Sequence, residues 1–179
     1  MGTKRVGLAR LEALMENLKR EIVGFNVENT AAAITTHADG SGDATLVRNT
    51  VNLVNEDATA VYTLPAASTC QAGDVIIVKY GVDIPNAVTH KYGRADEFLA
   101  VTSVIHAEDT ARGKLKLIAA PNGSSNDILT LTGATDAGCG IGSELKFHFD
   151  GSQWSVSGKV LAAAGGAGTT TVGVAFGDT

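Results

Sequence analysis

Apolar residues recur along this chain with two different periods. Over "KRVGLARLEALMENLKREIVG", Leu8, Leu11, Met15, Leu18 and Ile22 stand three or four positions apart, and the charged Arg10, Glu12, Glu16, Lys19, Arg20 and Glu21 fall mostly off that line. This spacing predicts an amphipathic helix within residues 1–24, with Gly24 placed to end it. An isolated helix of that length is marginal in water, so its stripe needs a surface to bury against. Three surfaces qualify: the body of the same subunit, symmetry-related copies of the stripe, or another protein. As a coiled coil the stripe would cover only about two heptads.

From about residue 30 to 161 the period changes to two. Short apolar runs follow one another: "AAAITTHA", "ATLVRNTVNLVN", "TAVYTLPA", "DVIIVKYG", "EFLAVTSVIHA", "GKLKLIAAP", "DILTLTGA", "SELKFHFDG" and "SQWSVSGKVL". In "KLKLIA" and "LKFHF" polar and apolar side chains alternate, which gives a strand one inward and one outward face. Stretches such as "NGSSND" and "DGSQ" supply the Gly, Asn and Asp that chain reversals require. Roughly eight or nine strands at this spacing predict a mainly β fold, an antiparallel β-sandwich or jelly-roll-like barrel. With no amphipathic helix between the runs, parallel crossovers are not expected.

Residues 162–179 form a third zone, rich in Gly, Ala and Thr, in which "TTTVGVAF" alternates like a strand without a nearby hairpin partner. It reads either as a disordered tail or as an extended arm that adds a strand to a neighbouring subunit. The arm is preferred, because Val172, Val174 and Phe176 would otherwise be exposed apolar residues without purpose.

Composition narrows the function classes. Apolar residues make up 44% of the chain and charged residues 18%, enough to build one core in 179 residues without wholesale disorder. Aromatics are only 5%, so that core rests largely on aliphatic residues. A net charge of -5 opposes sequence-independent binding of nucleic acid, which needs clustered Lys and Arg. No apolar run reaches membrane-spanning length, and "MGTKRV" has Val6 where a myristoylation signal needs Ser or Thr. Cys70 and Cys139 have no CxxC spacing; they could bridge if the fold brings them close, but the preferred reading is two buried thiols in a chain made in a reducing cytosol.

Candidate chemistry is sparse. His37, His90, His106 and His148 show no HExxH or HxH spacing, and His148 alternates with Phe147 and Phe149 as a solvent-facing strand residue. Asp39, Ser41 and Asp43 alternate as in a calcium loop, but Ala44 stands where that loop needs glycine and Thr50 where it needs glutamate. An Asx-rich turn explains them better. "GCGIGS" looks like a phosphate cradle, yet "ELKFHF" follows it as a strand, so no helix N-terminus faces an anion and the glycines read as a bend. There is no GxSxG, and no pair of carboxylates is singled out. Lys79, Tyr80, Lys91, Tyr92 and Arg94 read as part of a long surface loop, a contact surface for another protein. No catalytic residue, metal ligand or cofactor is assigned.

"YTLPAASTCQAGDVIIVKY", followed by "NDILTLTGAT", "GIGS" and "FDGSQWSVSG", resembles a β-rich module of virion structural proteins from tailed, especially marine, bacteriophages, and covers about half of the chain. "KRVGLARLEALMENLKREI" is similar to the N-terminal segment of structural proteins from phages of marine cyanobacteria. The resemblance implies a non-enzymatic capsid decoration (cement) protein on the head surface of the virion, made in the host bacterial cytoplasm. It would assemble as a homotrimer and partner the phage major capsid protein, with no nucleic acid or membrane involved. A trimer would give Leu8, Leu11, Met15, Leu18 and Ile22 a three-fold seam, and the arm carrying Val172, Val174 and Phe176 would be a second clamp. The alternative is a tail-fibre or receptor-binding module that meets a host glycan through surface aromatics such as Tyr80, Tyr92 or Trp154. A third class, a small hydrolase or lyase on a jelly roll, needs a constellation that distant strands would have to assemble. For Trp154 itself the expectation is packing on the sheet, in a hairpin with "ELKFHF" turned by Gly151 and Ser152.

Overall fold

The alternation read from the sequence becomes strand after strand. The computed structural model describes residues 34–85, 87–94, 104–109, 114–119, 127–133, 140–161 and 173–177. They form β1 (Ile34–His37), β2 (Ala44–Thr45), β3 (Thr50–Val54), β4 (Ala60–Thr63), β5 (Val75–Tyr80), β6 (Thr89–Gly93), β7 (Val104–Asp109), β8 (Lys114–Ala119), β9 (Ile128–Thr132), β10 (Glu144–Phe149), β11 (Trp154–Leu161) and β12 (Val174–Gly177). A 3-10 turn, Ala67–Thr69, interrupts them. The protein is mainly β, in two mixed sheets with strand orders β1-β3-β5-β10-β11-β7-β8 and β12-β9-β6-β4-β2. The chain divides into residues Met1–Ala32 and Ala33–Thr179. The helix expected within residues 1–24, with Leu8, Leu11, Met15, Leu18 and Ile22, lies outside the described residues, as does Val172.

The expectation of an antiparallel fold is corrected. Among the described residues five of the ten strand pairs are parallel. From Ile34 to Gly93 the chain deals its strands alternately, β1, β3 and β5 to the larger sheet and β2, β4 and β6 to the smaller, each parallel to the strand two before it. Parallel neighbours need a crossover, usually a helix. Here a strand of the opposite sheet makes it, so the absence of helical patterning did not exclude parallel pairing. Of the later strands, β9 and β10 close onto β6 and β5 in antiparallel pairs, while β11 pairs parallel with β7.

Register fixes what meets in the interior. In β10 the pattern is strict: Leu145, Phe147 and Phe149 are buried, while Glu144, Lys146 and His148 are exposed. Opposite it in β11, Trp154 pairs with Phe149 and Val156 with Phe147, forming the expected hairpin. Trp154 is fully buried against the Phe149 ring, 5.2 Å between centroids, and its Nε1–H donates to the Pro65 carbonyl at 3.1 Å. Inward residues of both sheets share one core, including Val54, Ile76, Val78, Leu129, Leu131, Leu145 and Phe147. Each large apolar side chain buried there contributes about 1.5–3 kcal/mol before the entropy of ordering is counted.

Two elements differ from the sequence reading. The stretch read as a surface loop around Lys91 contains β6, whose His90 and Tyr92 are buried and whose Lys91 is exposed. Gly93 ends that strand, at a point where a Cβ atom would lie 2.1 Å from the Asp127 carbonyl oxygen, so only glycine fits. In the C-terminal zone, β12 does find a strand partner within the chain: it pairs antiparallel with β9, burying Val174 and packing Phe176 against the core.

Candidate functional site

Two polar clusters stand out, and both arise from the alternating course of the chain. The first is inside the body. Parallel in-register pairing sets β4 beside β6 with Tyr62 opposite Tyr92, and neighbouring strands lie about 4.8 Å apart. The two rings therefore stack, with centroids 5.0 Å apart and planes at 16°. His37 and His90 each present an edge to Tyr62, both at 5.4 Å. Tyr80 reaches across from the larger sheet, stacking on His90 at 5.7 Å and hydrogen-bonding both His90 Nδ1, at 3.1 Å, and the Tyr92 hydroxyl. All three tyrosines of the chain are thus in the interior.

Proton positions follow from the partners. His90 Nε2 lies 2.9 Å from the Ala58 carbonyl, which only accepts, so Nε2 carries the proton and donates. In the neutral ring Nδ1 is then an acceptor, and Tyr80 Oη donates to it. The Tyr92 hydroxyl accordingly donates to Tyr80. Burial pulls the His90 imidazole below its ordinary value, against the opposing pulls of the Ala58 carbonyl and the Glu56 carboxylate. On the other side of Tyr62, His37 Nε2 donates to Asn52 Oδ1 at 3.2 Å, and that amide also spans the Val47 N–H and carbonyl. The Tyr62 hydroxyl itself has no hydrogen-bond partner, and burial pushes its ionisation well above the ordinary phenol range.

The second cluster is at the corner where the chain passes from the larger to the smaller sheet, first through residues 38–43 and then through 55–59. Glu56 is buried there and its carboxylate collects four donors. Oε1 accepts from the Gly40 and Ala58 N–H groups at 3.1 and 3.0 Å, and Oε2 from the Gly42 N–H at 2.8 Å and Ser41 Oγ at 3.3 Å. These bonds, that from Gly42 foremost, hold its pKa down at about 2 although burial acts the other way. Exposed Asp39 and Asp57 complete a group whose oxygens lie within 4.8 Å of one another. Asp57 hydrogen-bonds Asp39 and raises the Asp39 pKa, since two carboxyl groups in contact retain a proton. A divalent cation would meet two exposed carboxylates already engaged with each other, and both Glu56 oxygens already accept two bonds each. Chemically, Glu56 is a clamp that ties successive corners together.

The sequence candidates are distributed as follows. Ser41 serves the Glu56 clamp, while Asp43 Oδ1 accepts from the Val61 N–H at 2.7 Å, so this stretch is a structural turn. "GIGS" is a bend: Gly142 takes φ +86°, its N–H donates to the Tyr80 carbonyl, and Ser143 Oγ returns to Gly140. His148 is exposed as expected. Tyr80 and Tyr92, expected on a surface loop, are 3% and 0% exposed, and Trp154 is also 0% exposed, so none is a glycan platform. Of the stripe and arm residues, Val174 and Phe176 are placed together, in β12. The signal for the buried cluster was present: His90-Lys91-Tyr92 alternates, placing its two rings on one face. Comparison with protein-family models, with curated proteins and with solved structures finds no match to this chain.

Proposed function

We propose that this chain is a non-enzymatic structural protein of a tailed-phage particle, a capsid decoration protein that binds the head surface as an oligomer. The observation that carries this reading is how the polar groups are used: Glu56, His90 and Asn52 all serve corners and sheet-to-sheet contacts of the body. A β-sandwich made rigid in this way is a spacer and a clamp base, and its phage-module resemblance supplies the context. In this reading the helical stripe of Leu8, Leu11, Met15, Leu18 and Ile22 holds the oligomer, a homotrimer, and the protein partners the major capsid protein. The added interface must open before the shell bursts, and roughly 1,600 Å² per contact gives stable binding. The receptor-binding alternative loses its proposed aromatic platform, because Tyr80, Tyr92 and Trp154 are buried.

The test is the copy number of the protein in purified particles of the encoding phage, by quantitative mass spectrometry against the major capsid protein. A simple fraction of the capsid subunit count is expected. A handful of copies would move the protein to the tail, and absence from the particle would overturn both readings.

A further inference from the structure

His90 sits where the two sheets are joined by polar side chains. Its Nε2 is tied to the corner carbonyl of Ala58, and its Nδ1 receives the hydroxyl of Tyr80, which belongs to β5 of the other sheet. The ring is 0% exposed. The groups that face it can be named element by element. β4 presents the Tyr62 ring edge, β5 presents Tyr80, its own strand β6 carries Tyr92, and the corner before β4 brings the Glu56 carboxylate. On the β9 side its strand partner is Leu131, which does not titrate. The tyrosines are neutral at physiological pH, so Glu56 is the one charge in this set.

We propose that His90 is an acid-release latch between the sheets: a proton taken up at Nδ1 abolishes the acceptor for Tyr80 Oη and loosens β5 from β6. The added proton comes from solvent and stays on the ring, so Tyr80 Oη loses the group it donates to and its hydroxyl proton must turn away from His90. An imidazolium would also sit in a core where Glu56 is its nearest countercharge and is already committed to four donors. Because burial lowers the folded-state value, the unfolded chain binds this proton more readily than the folded one. Stability is therefore full above the unfolded histidine value, about 6.5, and declines as pH falls below it.

Urea unfolding of the full chain between pH 8 and pH 5 tests the proposal. For the parent protein the folding constant should fall below pH 6.5, by up to about tenfold per pH unit for one proton. In His90→Gln that decline should vanish, while in His148→Gln, altered at an exposed position, it should persist. A parent protein flat across this range, or a decline that survives His90→Gln, overturns the proposal. Should His90→Gln fail to fold, an NMR titration of the His90 ring in the parent protein decides: a midpoint below 6.5 supports the latch and one at or above it overturns it.

Discussion

Glu56 and Tyr62 are both buried polar residues, yet removing their polar atoms should have opposite effects. Glu56→Gln replaces an acceptor that holds Gly40, Ser41, Gly42 and Ala58 with an amide that has only one accepting oxygen. A loss of about 2–3 kcal/mol is expected in urea denaturation at pH 7. The Glu56 carboxyl ionises near 2 in the fold and at 4.5 ordinarily, so its contribution is complete above pH 4.5 and is lost as pH falls toward 2. Glu56→Gln should lack that acid limb. Tyr62→Phe removes a hydroxyl that has no partner, keeps the ring stacked on Tyr92, and should raise stability by up to about 1 kcal/mol in the same assay. At this scale the sequence was readable where alternation spoke, as for His148 and Phe147. It was silent for Glu56, three of whose four partners lie 14 to 16 positions earlier in a glycine-rich turn.

At the level of strands, the close approach of β6 to the segment entering β9 makes Gly93 irreplaceable. Gly93→Ala would drive its Cβ into the Asp127 backbone, and a loss of about 1–3 kcal/mol is expected from thermal unfolding. Removing residues 173–179 would strip β12 from β9, uncover part of the core beside Leu129 and Leu131, and leave a free edge. Such a truncation should lower the unfolding midpoint and promote aggregation, visible by light scattering on warming. Strand positions were largely legible, since "ELKFHF" carries a period of two and "VIIVKY" is a short run of mostly β-branched residues. β6 was hidden because its five residues, Thr89–Gly93, include no aliphatic side chain. Pairing direction was illegible for a different reason: alternation sets which face is buried and is blind to whether the neighbour runs parallel.

Among the described residues, the buried side chains of the two sheets form one shared core. Tyr80 of one sheet bonds His90 of the other, Phe147 meets Tyr92 across the interior at 5.8 Å, and Trp154 is fastened to the end of β4 through Pro65. Far-ultraviolet circular dichroism and Trp154 fluorescence should therefore report one coincident transition in urea. Separate midpoints would mean that the sheets part before they unfold. The parallel course of the first six strands also has a consequence for synthesis. As the chain leaves the ribosome, β3 can pair with β1, and β5 with β3, using only residues already made. The outer flank of β5 must then wait, because Lys79 pairs with Glu144, 65 positions later. During that interval a nascent half-body presents the outer edge of β5 unpaired, and it is there that slow folding and misassembly between neighbouring nascent chains will concentrate.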